Sequence, residues 1–396
     1  MNKNLLFRLF PVFLILYEFC TNMSNDMYLP ALPSIATEFL VPMNWIQLTI
    51  TAWLAGNTAV QLIVGPLADR YGRRCILFSG GILFLLATLG CAMAPSLAFL
   101  IVFRFLQGIG VCTMMISGYA SIHDLYDDQK AIHILVWMGS IAIIAPAVGP
   151  VFGGLLLLAA GWRVIFLSLL VLGVISLLAL WLCMPESTSV HNRESMRIKT
   201  LVSSYRRILF NSHFMMSAIS FGLLYGGVMG WITTSPFILM NTLGLSSDQF
   251  GYLQVPVFGI YILGAQLVKL LMTRMNKEKL IVFGLLVASI AGIAFIISSL
   301  LAPSHILSFI LPMSIYSLGF GFAAAPLNRT TLTATAEKKG IAMAVFYLVM
   351  TGSGTLISLM LSAFSSSVFY SCLVIGVTAA ASLILNTLRM RSGLVQ

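Results

Sequence analysis

Apolar residues fill long runs in this chain, and most charged residues stand between the runs rather than within them. Uncharged stretches extend over 39–68, 75–103, 105–123, 131–162, 164–185, 208–247, 249–268, 280–328 and 340–388. A helix needs about 20 mostly apolar residues to cross roughly 30 Å of hydrocarbon. The stretches 280–328 and 340–388 are long enough for two helices each, with natural breaks at Pro303-Ser304 and at Ser365-Ser366-Ser367. An N-terminal apolar segment completes a pattern that predicts twelve spans. They fall near 7–28, 44–66, 75–94, 98–120, 133–156, 163–184, 212–234, 248–271, 280–301, 306–327, 340–362 and 367–388. Lys3 and Arg8 ahead of the first run resemble a secretion signal. Glu18 interrupts that run and no A-x-A site follows, so it reads as an uncleaved first span. The expected fold class is an all-α membrane protein.

Composition agrees and removes alternatives. Of the 396 residues, 59% are hydrophobic and 9% charged, with a mean hydropathy of +0.99. Soluble domains carry about a quarter charged residues. Soluble enzymes, disordered chains and nucleic-acid-binding domains are excluded, and the lipid bilayer is the expected partner. The six cysteines (Cys20, Cys75, Cys91, Cys112, Cys183, Cys372) contain no C-x-x-C pair, so they make neither a disulfide framework nor a zinc site. The stretch His123–His133 has ligand-type residues but reads as a solvated cytoplasmic loop, and no metal is expected.

The net charge of +10 becomes a topology signal once the charges are placed. With twelve spans, every Lys and Arg except Arg104 and Arg163 falls on one side, 20 of 22. Basic residues mark the cytoplasmic side, so both termini are expected there. The longest polar stretch, 185–211, lies between spans six and seven. It divides the chain into an N-terminal six-helix bundle (1–184), a cytoplasmic linker (185–211) and a C-terminal six-helix bundle (212–396). Parallel repeats of this kind place a substrate site near the midplane between the halves.

Only Glu18, Asp26 and Arg104 carry charge inside the spans. A charge at the bilayer centre costs about 3 kcal/mol or more, so such residues face a cavity and have a partner. Glu18, Asn22 and Asp26 follow i, i+4, i+8 spacing and share one face of the first helix, which Thr21 and Asn25 widen. At 1.5 Å rise per residue, Asp26 lies about 12 Å outward of a roughly mid-membrane Glu18 and Arg104 roughly 9 Å below the outer face, so the two come to similar depth and an ion pair is expected. That pair would either hold two helices together or serve function. Glu18 is deeper and has no evident partner in the sequence.

The loop after span two reads Gly65-Pro66-Leu67-Ala68-Asp69-Arg70-Tyr71-Gly72-Arg73-Arg74. It resembles the G-x-L-a-D-r-x-G-r-r signature of the major facilitator superfamily. That resemblance implies a contact from Asp69 to the N-terminus of helix eleven near Gly340, where the helix dipole is positive. Arg104-Phe105-Leu106-Gln107-Gly108 resembles the family's R-x-x-Q-G element, which is associated with proton coupling. Gly139 and the run Ala145-Pro146-Ala147-Val148-Gly149-Pro150-Val151-Phe152-Gly153-Gly154 resemble the antiporter motif of exporters. Its small residues permit close helix approach and its prolines permit bending. Tyr17-Glu18-Phe19, Asn25-Asp26-Met27 and Leu29-Pro30-Ala31-Leu32-Pro33 narrow the resemblance to drug:proton antiporters of the MdfA-like and Bcr/CflA types. The sharp motifs all lie in the first half.

The resemblance implies a major facilitator fold in a bacterial inner membrane, working as a monomer without cofactors. It implies proton-coupled export of amphipathic small molecules, with protons and substrate meeting at Asp26, Glu18 and Arg104. Glu18, Asn22, Asn25, Asp26 and Gln107 are expected in the substrate pocket. Tyr225, Trp231, Gln254, Tyr261, Tyr316 and Tyr347 either line a cavity or belong to core and interfacial belts; Tyr225 and Gln254 are taken as pocket residues. Gly65, Asp69, Arg70, Gly72, Arg73, Pro146, Gly149, Pro150, Gly153 and Gly154 are expected to serve the conformational change. An alternative is an exporter dedicated to one endogenous compound such as a siderophore or sugar. No H-E-x-x-H, G-x-S-G or paired membrane aspartates point to an intramembrane enzyme, and no G-x-x-x-x-G-K-[ST] points to ATP.

Overall fold

The structure is a computed structural model and describes residues 3–187, 198–272, 275–364 and 367–393. Arg193, Arg197 and Arg274 of the basic loops, and Ser365 and Ser366 of the expected break, lie outside the described residues. The first half comprises α1 (Lys3–Asp26), the short α2 (Leu32–Glu38), α3 (Met43–Ala59), α4 (Gln61–Tyr71), α5 (Arg73–Ala92), α6 (Leu97–Leu125), α7 (Asp128–Ala160) and α8 (Trp162–Cys183). A connecting helix, α9 (Ile198–Leu209), follows. The second half comprises α10 (Ser212–Pro236), α11 (Ser247–Leu271), α12 (Lys277–Leu301), α13 (Leu307–Thr333), α14 (Lys339–Phe364) and α15 (Val368–Gly393). The end of the molecule bearing the Gly72 turn and α9 is termed the inner end, and the opposite one the outer end.

Among the described residues, nine helices are by themselves long and apolar enough to cross a membrane, and two bent pairs bring the number to eleven. One pair is α3 with α4, bent by 46° at Val60. The other is α7, whose two parts contain Pro146 and Pro150 in the second. The expected first span, which α1 would hold, is not among these eleven. Chemistry at the termini explains where helices begin and end. Ser96, Asp127 and Asn211 accept hydrogen bonds from the first-turn amides of α6, α7 and α10. Gly72 (φ 100°) and Gly161 (φ 79°) make tight reversals that a side chain would strain.

Within the first half, α1 packs on α7 and α8, α5 on α6 and α8, and α3 on α6. Within the second, α12 packs on α13 and α15, α10 on α14 and α15, and α11 on α13. Hydroxyls join helices where lipid offers no hydrophobic drive: Ser220 and Ser382 exchange bonds of 2.7 and 2.9 Å between α10 and α15. Each such bond contributes about 0.6 kcal/mol in a membrane. The exterior is apolar, with Leu86, Leu178, Ile290 and Leu388 exposed, while Glu18, Asp26, Arg104 and many hydroxyls are buried. A surface this apolar is stable only against hydrocarbon, so this is a multi-pass membrane protein.

The halves touch along α3–α14 and α7–α11. Thr51 bonds to Ser358 (2.7 Å) and Ser362 (3.3 Å), and Thr58 bonds to Thr355 at 3.2 Å. At the outer end α7 and α11 are in backbone contact. A Cβ at Gly154 would lie 2.6 Å from the Ser247 carbonyl oxygen, and one at Gly251 would lie 2.7 Å from that of Pro150. Only glycine permits these approaches.

Candidate transport site

The site is built on α1. Its outer half carries Glu18, Asn22, Asn25 and Asp26, but these residues do not share one set of partners. Glu18 is 3% exposed, and its Oε1 accepts a hydrogen bond from the Tyr119 hydroxyl of α6 at 2.7 Å. Its Oε2 is buried with no partner among the described residues. The Asn22 amide turns back to donate to the Glu18 carbonyl at 2.9 Å, so it stabilises the helix rather than reaching into the space beside it. Tyr347 of α14 lies within electrostatic reach of both Glu18 and Tyr119. Tyr225 of α10 stands in the same relation to Asp26. Phenols of the second half therefore lie within electrostatic reach of carboxylates of the first.

Arg104 departs from expectation. It is fully buried, yet among the described residues its hydrogen-bond partners do not include Asp26. Its Nη1 donates to the Ser24 carbonyl oxygen (2.8 Å) and to Gln107 Oε1 (2.7 Å), and its Nη2 donates to Asn25 Oδ1 (3.1 Å). The Asn25 amide in turn donates to Asp26 Oδ1 at 3.3 Å. Cation and carboxylate are thus joined through Asn25. Helical geometry explains this, since neighbouring residues point about 100° apart around α1. Arg104 approaches the side of Ser24 and Asn25, whereas Asp26 points round toward α7. The guanidinium also sits 4.7 Å from the Tyr28 ring centre and 5.9 Å from that of Trp53. Such faces stabilise a cation away from water. Gln107 is anchored by its amide to Thr88 Oγ1 at 2.8 Å, which fixes it as an Arg104 partner and not a free pocket group. Gly108 lets α3 approach, because a Cβ there would lie 2.1 Å from the Trp53 carbonyl oxygen.

The Gly/Pro run of α7 serves two neighbours at once. A Cβ at Gly149 would lie 2.6 Å from Asp26 Cβ, and one at Gly153 would lie 1.9 Å from the Met27 carbonyl oxygen. On another side of the same helix, Pro150 and Gly154 meet α11 of the second half. A displacement between the halves at the outer end therefore bears directly on the acid at Asp26.

At the inner end no hydrogen bond or ion pair joins Asp69 to α14 among the described residues, although α4 and α14 are in contact. Asp69 pairs with Arg73 at 3.3 Å, its side chain is 54% exposed, and the space around Gly340 is open. Arg73 also pairs with Asp124, and its backbone amide donates to Glu186 at 3.1 Å. Arg74 donates to the Trp181 carbonyl oxygen at 2.7 Å and Arg70 lies over the Tyr71 ring. The loop thus binds the inner ends of α4, α5, α6 and α8 to one another. Gly65 meets only Ile116, at van der Waals distance, so close packing does not explain it. Gln254 is tied to the interior of the second half, where its Oε1 accepts from Trp231 Nε1 at 2.9 Å, and Trp231 packs on Phe295. Tyr119 is the residue that sequence reasoning missed. The chain offered no cue beyond a phenol in an apolar helix.

Helices crossing a membrane in two sets, with carboxylates, a buried guanidinium and phenols between them, are the build of a transporter rather than an enzyme. The sequence pattern of the Major Facilitator Superfamily matches residues 14–359. The multidrug transporter MdfA of Yersinia pestis (strain Angola) is 34% identical over 342 residues, covering 86% of this chain and 83% of the relative. That of Escherichia coli O6:H1 is 34% identical over 336 residues, covering 84% and 81%. Among solved structures, a bacterial homologue of the human lysosomal transporter Spinster matches with a TM-score of 0.76 at 16% identity, covering 96% of each chain. A D-xylose–proton symporter matches at 0.75 and 17% identity, covering 96% and 97%. The chain belongs to the major facilitator superfamily, and its substrates are small molecules.

Proposed function

We propose that this protein is a proton-coupled exporter of amphipathic small molecules, a multidrug antiporter working by alternating access in a bacterial inner membrane. The observation that carries this reading is the pair of buried acids on α1. Asp26 is wired to Arg104 through Asn25 and pressed by the α7 seam. Glu18 keeps one carboxylate oxygen without a partner among the described residues. A free carboxylate oxygen beside phenols and apolar walls suits a lipophilic cation or a proton, and binding one excludes the other. The similarity to relatives named multidrug transporters favours a broad substrate range over export of one endogenous compound.

In this reading residues 1–184 and 212–396 are two six-helix bundles with α1 as the twelfth span, joined by 185–211, and both termini are cytoplasmic. The protein acts as a monomer. The close outer contacts of α7 with α11 and the exposed Asp69, bonded to Arg73 and not to α14, suit a state open to the cytoplasm. Substrate enters from the inner end and displaces a proton from the acids; after the switch, external protons at Asp26 and Glu18 release it. Everted vesicles test the scheme. Substrate-induced proton release should be lost in Glu18→Gln and in Asp26→Asn, and unchanged release in both variants would overturn the coupling.

A further inference from the structure

The connecting helix α9 is amphipathic. Ser204 and Ile208 are buried, while Lys199, Val202 and Arg206 are exposed. Its attachments are unequal. Toward the second half Arg207 Nε pairs with Glu337 at 2.5 Å, and just beyond the helix the Asn211 amide donates to the Ala334 carbonyl oxygen at 2.8 Å. Asn211 also caps α10 through the Phe214 amide at 3.0 Å. Toward the first half there is one hydrogen bond among the described residues, from the Tyr205 hydroxyl to the Leu62 carbonyl oxygen of α4 at 2.9 Å. That carbonyl is a special acceptor. Its intrahelical donor would be the amide four residues on, but position 66 is proline and has no N–H. Pro66 leaves an acceptor open on the lower part of a bent helix, and Tyr205 fills it from outside.

We propose that α9 is a strap carried by the second half, and that Tyr205 is a positioning residue holding α4 in the present conformation and releasing it when the halves switch. This inference rests on the alternating-access reading above. When the inner ends approach each other, α9 travels with Glu337 and Ala334 while α4 travels with the first half. A hydrogen bond tolerates displacements of only a few tenths of an ångström. Tyr205–Leu62 is therefore a bond of one state, while the Arg207 and Asn211 attachments persist in both. The proline is what makes the bond matter, because an ordinary helical carbonyl would already be satisfied.

Electron–electron distance measurements between nitroxides test this. The labels go on Gln129→Cys of α7 and Lys269→Cys of α11, both exposed at the inner end, with exposed Cys75 replaced by serine. The full-length protein is reconstituted in vesicles, with tetraphenylphosphonium as the lipophilic cation probe. Tyr205→Phe should shift the ratio of inner-open to inner-closed populations by about three- to tenfold toward closed, the effect of one lost hydrogen bond. Pro66→Ala restores an N–H to the Leu62 carbonyl. In that background Tyr205→Phe should shift the ratio less than about 1.5-fold, and the double-mutant cycle isolates the coupling. Two results overturn the strap and leave the transport reading standing. One is an unchanged ratio in Tyr205→Phe while the parent still responds to probe and pH. The other is an equal shift with and without Pro66. A parent that keeps a single distance under all probe and pH conditions overturns alternating access itself, and the strap with it.

Discussion

Glu18 and Asp26 lie on one face of one helix, two turns apart, yet their surroundings differ in kind. Asp26 sits in a network of fixed groups: Asn25 bridges it to Arg104, Gln107 and Thr88 steady the arginine, and the Gly149 backbone presses on its Cβ. Each acid shows one side-chain hydrogen bond, but the donor to Glu18 is Tyr119, which belongs to no arginine network, and Glu18 Oε2 is buried without a hydrogen-bond partner among the described residues. We propose that the difference separates two tasks: Asp26, set against α7 and through it α11, responds to movements of the protein, and Glu18, with a buried oxygen left without a hydrogen-bond partner among the described residues, receives the proton or cation. Among the described residues, what the second half brings into electrostatic reach of these acids is the phenols of Tyr225 and Tyr347.

The sharpest way to break this comparison is to neutralise the open acid. Glu18→Gln should weaken binding of a monovalent lipophilic cation by about 30- to 100-fold, the range for a lost charge-assisted contact. A neutral compound of similar size should change by less than about threefold. Equal losses for both, measured by equilibrium binding to purified protein, would remove the distinction between the two acids. An effect of comparable size, read in stability rather than in cation binding, is expected at the bridge. Asn25→Ala strands one guanidinium nitrogen and cuts the link to Asp26, at a cost of about 1.5–3 kcal/mol for a bond to a charged group. The variant should melt earlier in detergent and release fewer protons per substrate; an unchanged melting temperature would show that the bridge contributes nothing. The smallest effect falls on Tyr119→Phe. Losing one donor should change the affinity for a cation by about two- to tenfold while the melting temperature stays close to the parent's. A large drop in melting temperature would instead make Tyr119 a packing residue.

Much of this was legible in the chain because bilayer thickness imposes a length on every span. The helices fall where the uncharged runs predicted them, with α2 and α9 as additions in the polar connections. The intramembrane charges were legible too, since lipid makes any charge conspicuous. Their partners were not. Sequence gives depth from helical rise, and depth brought Asp26 and Arg104 together. Azimuth decides contact, and a single residue's turn around α1 put Asn25 between them. Tyr119 escaped notice because tyrosine is ordinary in membrane helices, so only its placement against Glu18 marks it.

The sequence by itself determined the membrane class, the family through its glycine- and proline-bearing motifs, and the identity of the buried acids. These follow from local requirements: apolar length, a turn at Gly72, an unaffordable charge in lipid. Only the tertiary structure decided which acid is wired to the arginine, and that the Gly/Pro run of α7 touches both Asp26 and the second half. It likewise showed that Asp69 pairs with Arg73 and that the carbonyl left open by Pro66 is taken by Tyr205. Each depends on residues far apart in the chain meeting at distances of about 3 Å, and no local pattern encodes the rotation of one helix against another.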